Sequence, residues 1–313
     1  MHRFRKILYV TLGHEDESAA LSLALKTDHK NRAPLEILAC LPEFPTDLES
    51  YREPFEQSVL EHLRSSVART CQEMDLDIAG ESITYEIESG MTPGLRIIRH
   101  VLGNQHNLVV KDAEPSEGGR GFEAIDMELL RKYPCAVWLC RPDQEKRKHP
   151  RIAVAIDPES PTPAGEALAL RLLELSSSLA ERLEAELNVI SCWDYEFERP
   201  LRASVWYRIP EAELQRAMEH SRSRLRASLD DLVRRAGLAP DVPVHHPHGQ
   251  PENAIPTFVE RNGVDILVMG TVARTGVPGF LIGNTAENVL QKVSCSLLAL
   301  KPEGFVCPVR IDS

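Results

Sequence analysis

Apolar and polar positions fall into short blocks along this chain, and the blocks alternate between two periods. The run Ile7-Leu-Tyr-Val-Thr-Leu12 predicts a buried strand, and Ala19, Leu23 and Ala24 at helical spacing predict a helix over about 18–26. A strand over 35–41 follows, closed by Pro42, then a loop from Pro45 to Pro54 and a long helix over about 55–74 with Val59, Leu63 and Val67 on one face. Residues 83–87 alternate as a strand does, 94–102 reads as a short helix, 107–111 as a strand, 112–121 as a polar Gly-containing loop, 126–132 as a helix and 136–140 as an apolar strand. After a charged linker up to Pro150 the order starts again. Strands are predicted over 151–157, 186–192, 242–248, 265–270 and 296–300, with helices over 164–183, 211–236, 252–261 and 285–292 and a long connection from Trp193 to Pro210.

The repetition extends to residues. Leu129-Leu-Arg-Lys-Tyr-Pro-Cys-Ala-Val-Trp-Leu-Cys-Arg-Pro-Asp143 aligns with Val289-Leu-Gln-Lys-Val-Ser-Cys-Ser-Leu-Leu-Ala-Leu-Lys-Pro-Glu303 at a constant offset, 289 − 129 = 160. Leu130/Leu290, Lys132/Lys292, Cys135/Cys295 and Pro142/Pro302 are identical pairs. One α/β unit is therefore used twice, with domains expected at 1–145 and 146–313. Alternating strands and helices imply an open parallel sheet with helices on both faces, and a ligand site at the carboxyl ends of the strands flanking the switch in strand order. The apolar last strands, 136–140 and 296–300, are the natural edges through which the halves pair as an internal pseudo-dimer, with a further homodimer left open.

Charge narrows the range of partners. A formal net charge of −11 argues against nucleic acid or an anionic membrane surface, which require clustered Lys and Arg. The two local basic clusters, 145–149 and 222–226, read as a linker and as the solvated face of a helix. The apolar run 7–12 is too short for a signal-peptide core, and no run approaches the roughly 18 apolar residues of a membrane span. Seven scattered cysteines without a Cys-x-x-Cys motif read as buried thiols of a reducing compartment, so the expected location is cytoplasmic.

The chemistry concentrates in one stretch. Val264-Asp-Ile-Leu-Val-Met-Gly270 is a strand ending in glycine, a Gly-containing loop follows, and Gly283-Asn-Thr-Ala-Glu-Asn-Val-Leu290 opens a helix. Free N–H groups of a first helical turn form an anion site, although such glycines also occur simply because a turn needs φ > 0. Elsewhere, His245-His246-Pro247-His248 has no cysteine or carboxylate pattern within the segment to complete a metal set and reads as lining the pocket mouth or lying exposed, and His100 and His106 read as helix-end and loop residues. Trp193 and Trp206 read as covering an apolar face. There is no P-loop, no Gly-x-Ser-x-Gly elbow and no His-Glu-x-x-His motif.

The first strand of the second half ending in Ile156-Asp157-Pro158, the segment Gly249-Gln-Pro251 before a helix, and Asp265-Ile-Leu-Val-Met-Gly270 with its loop resemble the universal stress protein family. The segment 270–276 with 280–287, the stretch 129–138 and the tail from Lys301-Pro302 to Pro308-Val309 resemble its tandem, E-type subgroup. The resemblance implies two tandem domains of that type, each an open five-stranded parallel sheet with helices on both faces. It also implies ATP as ligand, with Mg only as its companion. By the same resemblance Asp157 reads the adenine, Ala155 and Ile156 line the base, Met269 and Gly270 pack on base and ribose, and Gly283, Asn284 and Thr285 meet the phosphates. The family's Gly-x-x-Gly, spacer, Gly-Ser/Thr pattern is altered here. Ala273 replaces the second glycine and brings a Cβ, and Asn284 replaces the Ser/Thr while keeping a donor. In the first half Leu12 stands where Asp157 stands, so no nucleotide is expected there. The leading expectation is a stress-response protein that binds a nucleotide or other small ligand and is not an enzyme. The rivals are a slow ATPase or ATP-gated switch using Asp157, and a carrier of an amphiphilic small molecule.

Overall fold

The computed structural model describes residues 4–13, 19–77, 83–141, 147–160, 162–204, 207–271 and 282–310. In chain order the first half contains β1 (Ile7–Thr11), α1 (Ala19–Asn31), β2 (Leu35–Leu41), α2 (Arg52–Glu73), β3 (Ile83–Ser89), α3 (Pro93–Asn104), β4 (Leu108–Asp112), α4 (Ala124–Lys132) and β5 (Ala136–Cys140). The second contains β6 (Arg151–Ala155), α5 (Pro163–Leu183), β7 (Glu186–Ile190), α6 (Glu198–Ala203), α7 (Glu211–Arg235), β8 (Val244–His245), α8 (Pro251–Asn262), β9 (Ile266–Gly270), α9 (Asn284–Leu290) and β10 (Ser296–Leu300).

The ten strands form one sheet in the order β3-β2-β1-β4-β5-β10-β9-β6-β7-β8. Within each half the pairing is parallel and the order is the same, so the two α/β units seen in the sequence fold alike. The switch in strand order lies between β1 and β4 in one half and between β6 and β9 in the other. β5 and β10 join the halves antiparallel, with Leu298 opposite Trp138. These two residues are related by the sequence offset (298 − 138 = 160), so a pseudo-two-fold axis passes through equivalent positions, as in a closed dimer. The carboxyl edges of the two half-sheets therefore point in opposite directions. Alternate side chains of each strand feed two apolar layers. Ile7, Ile37, Val154 and Val268 pack on one face, while Leu8, Leu38, Ala153 and Leu267 pack on the other. All seven cysteines are free thiols, with Cys40, Cys140 and Cys295 buried.

Three expectations need correction. The span from Pro45 to Pro54 is not loop: a 3₁₀ helix covers Thr46–Tyr51, and α2 starts at Arg52. Pro54 falls in the first turn of α2, where a missing N–H breaks no intrahelical bond. The strand expected over 242–248 shrinks to Val244–His245. Pro243 and Pro247 accept from Val189 N (2.9 Å) and Trp193 N (3.0 Å) but have no N–H to return, so the ladder stops at both. The connection from Trp193 to Pro210 carries a helix of its own, α6.

Candidate functional site

β6 and β9 lie side by side with Ala155 paired to Met269, so the carboxyl ends of these strands form one edge of a cleft. Ala155, Ile156 and Met269 are buried there, and Asp157 follows, half-buried. Its Oδ1 accepts from Glu159 N at 3.2 Å, turning the chain toward α5. At the end of β9, Thr271 O accepts from Gly283 N at 3.0 Å, tying the start of α9 to the same edge. Gly283 is the N-cap, buried, and among the described residues no side chain caps the helix; Asn284 and Thr285 are exposed. The fold thus gathers Ala155, Ile156, Asp157, Met269, Gly270, Gly283, Asn284 and Thr285 at one edge. Ala273 lies outside the described residues, as does Trp206.

The two expected glycines have local explanations. A Cβ on Gly270 would stand 2.8 Å from Leu168 Cδ2 of α5, so a larger residue there would make the Leu168 side chain shift. Gly283 has φ −63°, a conformation open to any residue.

The first half supplies an internal control. Ile7 pairs with Leu108, the first residue of β4, and Ile152 pairs with Ile266, the first of β9. Counting along both registers, Leu12 takes the place of Asp157 and Lys111 that of Met269. Across the repeat, Ile125 and Asp126 take the places of Thr285 and Ala286. In the first half the backbone N–H groups of Ile125 and Asp126 both donate to Glu114 Oε2, at 2.8 and 3.0 Å. A carboxylate of the chain itself occupies the N-terminus of α4, where an anion would otherwise bind. Beneath it, Lys111 Nζ donates to Asp126 Oδ1 (2.9 Å) and to Asp112 O (2.7 Å), and Glu114 N donates to Asp126 Oδ2 (2.7 Å). Burial pushes the Asp126 carboxyl up, against the pull of the Lys111 ammonium. Where the second half has apolar Met269 and Ala286, the first half has filled its cleft with a closed polar network.

Other groups gather at the same edge of the second half. His248 Nε2 lies 3.2 Å from Glu198 Oε2 and 3.7 Å from Asp194 Oδ1, carboxylates that arrive from the connection after β7. Trp193 lies tilted against His248 with ring centroids 4.3 Å apart. His245 and His246 are held by Asn188 Oδ1 and Ser191 O, each at 2.9 Å. The basic run 222–226 is solvated as expected, its arginines paired to Glu219, Glu159 and Asp230.

Sequence reasoning missed a cavity of about 480 Å³ at the seam between the halves, near the carboxyl end of β10 and the amino end of β5. Val101, Leu102, Pro134 and Phe305 give it apolar wall, and Arg171 and Lys301 give it cations. Burial holds the Lys301 ammonium down to about 8; Nζ donates to Arg131 O at 3.3 Å and sits over the Phe305 ring at 4.6 Å.

The fold is shared with known proteins. Residues 149–301 match the universal stress protein family. Over its full length the chain is similar to Universal stress protein E of Escherichia coli K12, with 25% identity covering 100% of this chain and 98% of the relative. It is also similar to a Universal stress protein E homolog of Haemophilus influenzae, with 27% identity covering 96% and 98%. A functionally unknown protein from Pseudomonas aeruginosa has the same fold, with TM-score 0.68 and 22% identity over 96% of this chain and 94% of that one. Among the described residues, no helix is long and apolar enough to cross a membrane.

Proposed function

Residues 149–301 of this chain belong to the universal stress protein family, and on that premise we propose that the second half binds a nucleotide-type ligand at the carboxyl ends of β6 and β9. The protein then acts in a stress response by binding rather than catalysis, with two domains, 1–145 and 146–313, and with the ligand in the second. The observation that carries this reading is the contrast between equivalent positions. Glu114 and the Lys111–Asp126 pair close the first cleft, whereas among the described residues no side chain caps α9, and Met269 and Ala286 leave an apolar wall. ATP is the ligand implied by the sequence resemblance, with Mg accompanying it. Asp157 would accept from the adenine amino group, Ala155, Ile156 and Met269 would flank the base, Gly270 would let it approach, and Gly283, Asn284 and Thr285 would meet the phosphates. Ala273 belongs to the same proposal.

Calorimetry of the full chain with ATP and Mg²⁺ tests it. Saturable heat is expected from the parent and its loss in Asp157→Ala. No heat from the parent, or equal heat from both, overturns the reading. The seam cavity favours a second reading, a carrier of an amphiphilic anion whose apolar part packs on Leu102 and Phe305 and whose charge meets Arg171 and Lys301. Native mass spectrometry of the purified chain decides it: a co-purified ligand lost in Lys301→Met supports the carrier, and a clean apo mass removes it.

A further inference from the structure

Glu36, His100 and His106 lie near the amino ends of the first half's strands, away from its cleft, and are 5%, 6% and 4% exposed. Glu36 is the second residue of β2, His100 comes from α3, and His106 precedes β4. The Nε2 atoms of both imidazoles converge on one carboxylate: His100 Nε2 is 2.5 Å from Oε1, and His106 Nε2 is 3.0 Å from Oε2. On the far side of its ring, His100 Nδ1 is 2.8 Å from Glu88 Oε1 and 3.8 Å from Glu86 Oε2. A carboxylate there fixes the N–H on Nδ1 and leaves the Nε2 lone pair aimed at a Glu36 oxygen. Two lone pairs at that distance need a proton between them, and a metal ion taking its place would open the pair to about 3.3 Å.

We propose that Glu36, His100 and His106 form a site for a divalent cation of the Zn²⁺ type, with Glu88 as the positioning residue behind His100. Two neutral imidazoles and one carboxylate are a borderline donor set that suits zinc, with water as fourth ligand. His106 also lines the seam cavity, which provides an entry path and room for that water. Two further groups face the cluster. Lys6 Nζ lies 3.4 Å from Glu36 Oε2 and donates to Asn104 O at 3.1 Å, and Asn104 Nδ2 is 3.3 Å from His100 Nε2. Lys6 has a third of its side chain exposed and competes with the ion for Glu36. Without metal, a proton fills the gap. Metal and proton compete for the same Nε2 lone pair, so binding weakens as the pH falls.

The test uses the full chain, stripped with chelator, loaded with Zn²⁺ or Co²⁺ and desalted. One ion per chain is expected, with a Co²⁺ spectrum lacking a thiolate charge-transfer band. Retention should be lost in His100→Ala and Glu36→Gln, affinity should fall about 10–100-fold in Glu88→Gln, and it should rise in Lys6→Met. His248→Ala should leave retention unchanged. If His100→Ala does not fold, the opposite shifts in Glu88→Gln and Lys6→Met carry the test. No retained ion means a proton-filled cluster only and overturns the proposal. So does a thiolate band, or retention lost in His248→Ala and unaltered in the other variants.

Discussion

Replacing Lys111 by Met, the residue at the equivalent position 269, would leave the fully buried Asp126 carboxylate with the Glu114 N–H as its hydrogen-bond donor and Arg141 as the remaining cation in its field. Breaking a buried ion pair from one side leaves an uncompensated charge, and we expect a loss of about 3–5 kcal/mol. Asp126→Ala should be similarly severe. It strands the Lys111 ammonium with one carbonyl, Asp112 O, and also removes the acceptor of Glu114 N. The double substitution K111M/D126A recreates the Met269/Ala286 pair of the second half. Neither member of the pair is then left as a stranded charge, and the remaining deficit is chiefly one unpaired backbone N–H, about 1–3 kcal/mol. The singles sum to roughly 6–10 kcal/mol, so the coupling energy is on the order of 5 kcal/mol. Urea unfolding of the four proteins measures it, provided the midpoints shift at constant slope. A double variant as unstable as the sum of the singles, within about 0.5 kcal/mol, would refute the reasoning. The residues would then act independently, and the polar network would not be what distinguishes the two clefts.

Two other perturbations separate the roles of single groups. Glu114→Ala removes the carboxylate on Ile125 N and Asp126 N. It should lower stability by about 0.5–2 kcal/mol, the range for a lost helix cap, and in thermal melts at matched ionic strength sulfate should stabilise the variant more than the parent. Burial holds the His106 imidazole down to about 4 from 6.5, so the fold favours its neutral ring. The stability this contributes is complete above pH 6.5 and is lost as the pH falls toward 4, by about 3 kcal/mol. His100, raised by its two carboxylates, acts with the opposite sign. The difference between His106→Gln and the parent, followed by unfolding across that window, isolates the His106 contribution. A difference that does not change with pH there would contradict it.

Much of the fold could be read from local pattern. The strands expected over 35–41, 136–140 and 296–300 have those bounds in the structure. Runs buried on both faces are continuously apolar, and Pro42 or a polar linker ends them. The 160-residue offset predicted which strands would join the halves, because equivalent apolar edges can close on each other around a two-fold axis. Local pattern failed where proline breaks a ladder on one side only, as at Pro243 and Pro247, and where Pro54 begins a helix instead of ending a loop.

The candidate site divided along the same line. Asp157, Met269 and Gly283 could be nominated from sequence because each sits at the end of a strand or the start of a helix, and strand adjacency follows from the repeated α/β order. Which groups neutralise one another could not be read. Glu36 meets His100 and His106 at separations of 64 and 70 residues, and Glu114 reaches the N-terminus of α4 across a loop whose composition contains no signal for it. The seam cavity exists only because the two half-sheets run antiparallel, which brings the carboxyl end of β10 beside the amino end of β5. The sequence by itself determined where the chain is strand or helix and that the unit is used twice, because short-range sterics and apolar burial act within a few residues. Only the tertiary structure decided which cleft is closed and which charges are paired, because a buried charge is settled by whatever the fold places within about 4 Å of it.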